Sequence, residues 1–145
     1  MKSEIVNYCK SIGLTEPFMD RVKELYELAV AVMNEEPIDA IIEDYINQDG
    51  TRVYSHLTFF SEHYFTGIAN FLTEDTIFLH NLSRRIESMY ISKRDYDFKQ
   101  ATEKSRLTLN FNYDSNNEMS GNFTASKENC DHLWTICQKY FFSLI

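Results

Sequence analysis

The sequence predicts an α+β fold. Three observations carry that prediction: apolar residues at helical spacing near both ends, strand-like alternation through the middle, and polar turn clusters between the alternating runs. The expected order is an N-terminal helical pair over residues 1–37, packed on residues 38–145. The latter read as a run of about seven short antiparallel strands closed by a C-terminal helix.

Ile5, Cys9 and Ile12 recur at helical spacing, and Gly13 closes that first helix. Thr15 stands where a second helix needs its N-cap. Glu16 and Pro17 follow in the first turn, where an acid meets the positive end of the helix and a proline forfeits no hydrogen bond. Phe18, Val22, Leu25, Ala29, Val32 and Met33 form its apolar stripe, so Phe18 is expected in the core; Glu35-Glu36-Pro37 stops it.

Residues 38–47 read two ways. Ile38, Ile41, Ile42, Tyr45 and Ile46 fit a helix face, whereas the β-branched and aromatic content and the turn Asn47-Gln48-Asp49-Gly50 favour a hairpin. In its second arm, residues 51–60, Tyr54, His56, Thr58 and Phe60 share one face, a candidate interface. Short strands continue from there. Residues 64–71 are apolar around Gly67, Thr73-Glu74-Asp75 is a polar turn, and Ile77, Phe78 and Leu79 centre a strand. Ile86, Ser88, Tyr90 and Ser92 alternate with Glu87, Met89 and Ile91. Leu107, Leu109, Phe111 and Tyr113 give the cleanest alternation in the chain and place Phe111 in the core. Asp114-Ser115-Asn116-Asn117 is turn chemistry leading to a return strand over 119–125. Ser126 then reads as an N-cap. Cys130, Leu133, Trp134, Cys137 and Phe141 stripe a last helix ending near 142, with Trp134 expected in the core.

With 145 residues, 43% apolar, 4 glycines and 2 prolines, the chain fits one globular domain and excludes fibrous or disordered classes. The net charge of -8 argues against nucleic acid and against an anionic membrane, since both reward a basic surface. Residues 1–50 hold 11 acids and 4 bases, which suits a basic protein partner or a solvated helix face. Three cysteines without disulfide or zinc spacing, an opening Met1-Lys2-Ser3-Glu4 that leads into a polar amphipathic segment, and no apolar run near ~18 residues point to the cytoplasm. The sequons Asn81-Leu82-Ser83 and Asn122-Phe123-Thr124 are then chance matches.

No catalytic constellation emerges. His56, His63, His80 and His132 lack metal-ligand spacing, and Cys130 and Cys137 lie on an apolar stripe. Glu35-Glu36 and Glu43-Asp44 read as solvated acids, and neither a phosphate loop nor a nucleophile elbow is present. The expectation is a protein without enzymatic activity, cofactor or metal. One band stands out: Arg84, Arg85, Lys93, Arg94, Lys99, Lys104 and Arg106 against Glu87, Asp95, Asp97 and Glu103, a local excess of three positive charges. It suits an anion or an acidic partner surface, or else a salt-bridged loop.

Two phrases resemble the pleckstrin-homology superfold in its bacterial and GRAM-like versions. The run Gly67-Ile68-Ala69-Asn70-Phe71-Leu72-Thr73-Glu74-Asp75-Thr76-Ile77-Phe78 resembles the family's glycine, strand, threonine-rich turn and apolar strand. Phe123-Thr124-Ala125-Ser126-Lys127-Glu128-Asn129, leading to Trp134, resembles its last strand and capping helix. The resemblance covers residues 38–143 and implies a bent barrel with Trp134 plugging one end. Phosphoinositide-binding members carry a basic loop between the first two strands. Asn47-Gln48-Asp49-Gly50 departs from that pattern, so the resemblance implies protein interaction in place of headgroup binding.

The leading expectation is therefore a non-enzymatic PH-like protein-interaction module, with a protein partner or self-association. Arg84, Arg85, Lys93, Arg94, Tyr54 and Phe60 are its candidate contacts. The alternative is a small acidic inhibitor or immunity-type protein that occupies a basic partner.

Overall fold

Ile5, Tyr8 and Cys9 turn inward along α1 (Ser3–Ser11), and Gly13, at φ 86°, takes the left-handed turn that ends it. The coordinates are a computed structural model describing residues 1–74, 76–113 and 120–145. The turn expected at 114–117, the residue Asp75 and the start of the return strand at Met119 lie outside the described residues.

α2 (Glu16–Met33) starts where expected. Thr15 holds the N-cap position with extended backbone, although its side chain makes no capping bond, and Pro17 sits in the first turn. Asn34, left-handed at φ 53°, closes the helix. The buried face runs through Met19, Val22, Leu25, Tyr26, Ala29 and Met33. Phe18 is 40% exposed, not core: it stands only about 40° round the helix from Val22, but in the first turn of α2, where burial begins with Met19.

Residues 38–47 resolve as a strand. β1 (Asp39–Ile46) and β2 (Arg52–Phe60) form the favoured hairpin, followed by β3 (Tyr64–Ala69), β4 (Thr76–Asn81), β5 (Ile86–Arg94), β6 (Arg106–Tyr113) and β7 (Ser120–Ser126). The closed barrel is not found. The strands form a four-stranded sheet, β1-β2-β3-β4, and a separate three-stranded sheet, β5-β6-β7. Closure would pair β4 or β5 on both sides, and each is the last strand of its sheet.

The chain divides into two compact units. The first comprises Met1–Ile42 and Tyr54–Asn81, the second Glu43–Val53 and Leu82–Ile145. In the first, α2 packs on β3, and Tyr26 meets Phe59 edge-on at 5.8 Å. The Tyr8 hydroxyl accepts the Ile42 amide (2.9 Å) and faces its carbonyl. Arg21 donates to the carbonyls of Phe71 (2.7 Å) and Glu74 (3.0 Å), tying α2 to the turn after β3.

In the second unit, α3 (Asn129–Ile136) packs on β7 and β6 and continues through a π-turn, Cys137–Phe141. Phe111 is buried as expected, against Phe141 (4.9 Å) and Phe123 (6.1 Å). Ser126 does not cap the helix. It ends β7 and is buried, while Lys127 turns left-handed and Glu128 precedes α3. Cys130 and Cys137 are buried, and burial pushes both thiols up to about 12. No helix among the described residues is long and apolar enough to cross a membrane.

Candidate functional site

The three-stranded sheet has two chemically different faces, fixed by its register. Leu107, Leu109 and Phe111 of β6 lie opposite Ala125, Phe123 and Gly121 of β7 on one side, and opposite Lys93, Ile91 and Met89 of β5 on the other. Residues opposite each other in a ladder share a face. This is the core face, and β6 and β7 are buried along it. At β5 the same face emerges: Ile91 is 41% exposed and Lys93 is exposed.

The connection from β5 to β6 frames this strip. Tyr96, buried, donates its hydroxyl to Asp131 Oδ1 of α3 (2.8 Å), and the Ala101 amide donates to Asp131 Oδ2 (3.1 Å). Burial, then the Asp131 bond, raises the Tyr96 phenol above its ordinary range. Asp97 accepts the amides of Lys99 (2.9 Å) and Gln100 (3.1 Å), an Asx-type turn. Phe98, within this loop, takes φ 65°, a conformation that costs a bulky residue about 1–3 kcal/mol. Its ring rests on Trp134, with centroids 4.4 Å apart, and Trp134 meets Phe142 at 5.1 Å. The Lys93 ammonium lies 5.6 Å from the Phe98 ring centre. Phe98, Trp134 and Phe142 are all half-buried. Trp134 is thus not a buried plug but the inner wall of a partly open aromatic ledge.

Two groups expected apart therefore meet. Lys93, an expected surface base, and Trp134, expected in the core, border the same strip. Arg94 is exposed at the end of β5, on the opposite, polar face with Tyr90, which is 62% exposed. Arg85 is exposed just before β5, and Arg84 lies over the Tyr113 ring at 4.5 Å. Among the described residues, no carboxylate lies within ion-pair distance of Arg85, Lys93, Arg94, Lys99, Lys104 or Arg106.

The other expected contact face is largely covered. Phe60 is fully buried, Thr58 nearly so, and the Tyr54 hydroxyl is spent on the Ile12 carbonyl. Both faces of β2 are covered at its end, so alternation there did not mean one wet side. His56 is half-buried and accepts the Asn70 amide (2.9 Å), and burial lowers its pKa. His63 is exposed beside Glu35 (2.7 Å), which raises it. Among the described residues no group of three or more His, Cys, Asp or Glu is arranged to hold a metal ion.

Sequence reasoning missed one buried polar centre. Glu43 and Asp44, expected in water, are 4% and 0% exposed. Asp44 accepts Arg52 Nε (2.8 Å), the Ser126 amide (3.0 Å), the Ser126 hydroxyl and the Asn129 side-chain amide (2.7 Å); Arg52 also grips Glu128 (2.5 Å). Glu43 accepts the Thr124 amide (3.0 Å), and burial above all raises its pKa to about 8. The two acids thus hold amides on the outer edge of β7. A signal was present: consecutive residues of a strand point to opposite faces, so two adjacent acids inside an Ile-rich strand cannot both share one wet face. Compared with known protein families, curated proteins and solved structures, the chain has no match.

Proposed function

We propose that this chain is a non-enzymatic, PH-like protein-interaction module whose contact surface is the uncovered strip between β5 and α3. One observation carries the reading: the apolar face of the three-stranded sheet is left open at β5, where Ile91, Phe98 and Trp134 meet solvent beside Lys93. Partly exposed aromatic rings with a rigid backbone behind them are what protein interfaces use as anchors. Asp131 and Asp97 fix the loop, so little order has to be gained on binding. The PH-like part of the reading is supported by element order, with four and then three antiparallel strands followed by one helix.

A second reading has its own observation. Glu16, Asp20, Glu24 and Glu27 are exposed along one ridge of α2, which suits an inhibitor or immunity-type protein facing a basic partner. Affinity capture from the native cell with three baits separates the two. The strip reading expects a partner lost with Trp134→Ala and Ile91→Arg and kept when the four α2 acids are changed to Gln. Loss with the α2 acids and retention with the strip variants contradicts it.

A further inference from the structure

We propose that the partner of this strip is an extended, acidic segment that adds as an eighth strand to the free edge of β5. The inference rests on the strip being the contact surface and goes on to name the class of ligand.

Three features converge. First, β5 is nine residues long and terminal in its sheet, and among the described residues no strand pairs with its outer side. Alternate amides and carbonyls of an edge strand point outward, so the edge is a template for backbone pairing with another extended chain. Second, side chains exposed on both faces of β5 flank that edge. Met89, Ile91 and Lys93 share one face, and Tyr90, Ser92 and Arg94 the other. An added strand would set alternate side chains against each row. On the core face it would run beside Ile91 towards the ledge of Phe98 and Trp134.

Third, the charge at this end of β5 selects the partner. Lys93 and Arg94 stand one on each face of the same edge, and Lys99 is exposed in the connection that follows. None of the three has an ion-pair partner among the described residues. An added strand can carry an acid on each face at this end and meet both β5 cations, which a helix laid on one face cannot do. The chain as a whole is acidic, at net -8, whereas this end of β5 and its connection carry Lys93, Arg94 and Lys99 against Asp95 and Asp97, so an acidic segment is less repelled here.

The test uses the full chain and a random library of unstructured displayed peptides. Enriched peptides are expected to be acidic and free of proline at the pairing positions. On binding they should slow hydrogen exchange of the outward β5 amides, and affinity should fall about tenfold or more with Lys93→Glu/Arg94→Glu and with rising salt. Neutral or basic enriched peptides, unchanged β5 amide exchange at saturation, or no enrichment would each overturn the inference. If capture from the cell still depends on Trp134 and Ile91, only the ligand class falls. If capture does not depend on them, the strip itself falls. A circular-dichroism melt of the charge-reversal variant, expected to match the parent because both side chains are exposed, separates lost binding from lost folding.

Discussion

Gly121 shows how much one side chain decides. A Cβ built on it would lie 2.1 Å from Phe111 Cζ, because the Phe111 ring covers the β7 backbone at that point. Gly121→Ala must push that ring into Phe123 and Phe141, and we expect a loss of about 1–3 kcal/mol, read as a lower urea midpoint at unchanged slope. Asp44 is the polar counterpart. Asp44→Ala strands the Arg52 guanidinium, the Ser126 amide and the Asn129 side chain, and about 3–5 kcal/mol should be lost in the same assay. Glu43 has a pH signature of its own. Burial, opposed by the Thr124 amide and reinforced by Asp44, raises it from 4.5 to about 8, so the folded state holds a proton that the unfolded state has released. Its stabilising effect is complete below pH 4.5 and fades as pH rises to about 8, at up to ~1.4 kcal/mol per pH unit. Glu43→Gln should flatten the decline in stability across that interval, as followed by urea unfolding at successive pH values. A parallel decline in both proteins would contradict the assignment.

At the scale of elements, strands with strict alternation were the most legible. Leu107, Leu109, Phe111 and Tyr113 are buried, as period two requires, and the Asn47-Gln48-Asp49-Gly50 turn settled 38–47 as a hairpin arm. Legibility failed where burial depends on neighbours distant in sequence. Phe60 is covered although its strand alternates, and Phe18, on the α2 stripe but in its first turn, is exposed. Trp134 sits on a helix stripe, yet the neighbour that covers one side of it is Phe98, whose strained loop leaves no periodic trace. The adjacent Glu43 and Asp44 are buried because Arg52 and the β7 edge receive them, a pairing no local pattern shows. The strip itself is an element-scale feature. Phe98→Gly should relieve the φ 65° strain while removing the ledge ring, so thermal stability should change little and partner binding should weaken. Unweakened binding with an unchanged melt would remove Phe98 from the site.

At the scale of the whole molecule, charge is unevenly spread. The first unit holds 11 acids against 4 bases and the second 11 against 10, while the exposed cations Lys93, Arg94 and Lys99 of the second stand at β5 and the loop after it. A partner drawn to that end should associate more slowly as ionic strength rises, with a smaller effect on dissociation, in surface-capture kinetics. Trp134 is the chain's single tryptophan and lines the strip, which gives the most direct measurement. Titration of the full chain with an enriched acidic peptide should shift its emission saturably to the blue and shield it from acrylamide. Both changes should disappear in Lys93→Glu/Arg94→Glu. Saturable peptide binding that leaves the tryptophan emission and its quenching untouched would contradict the account.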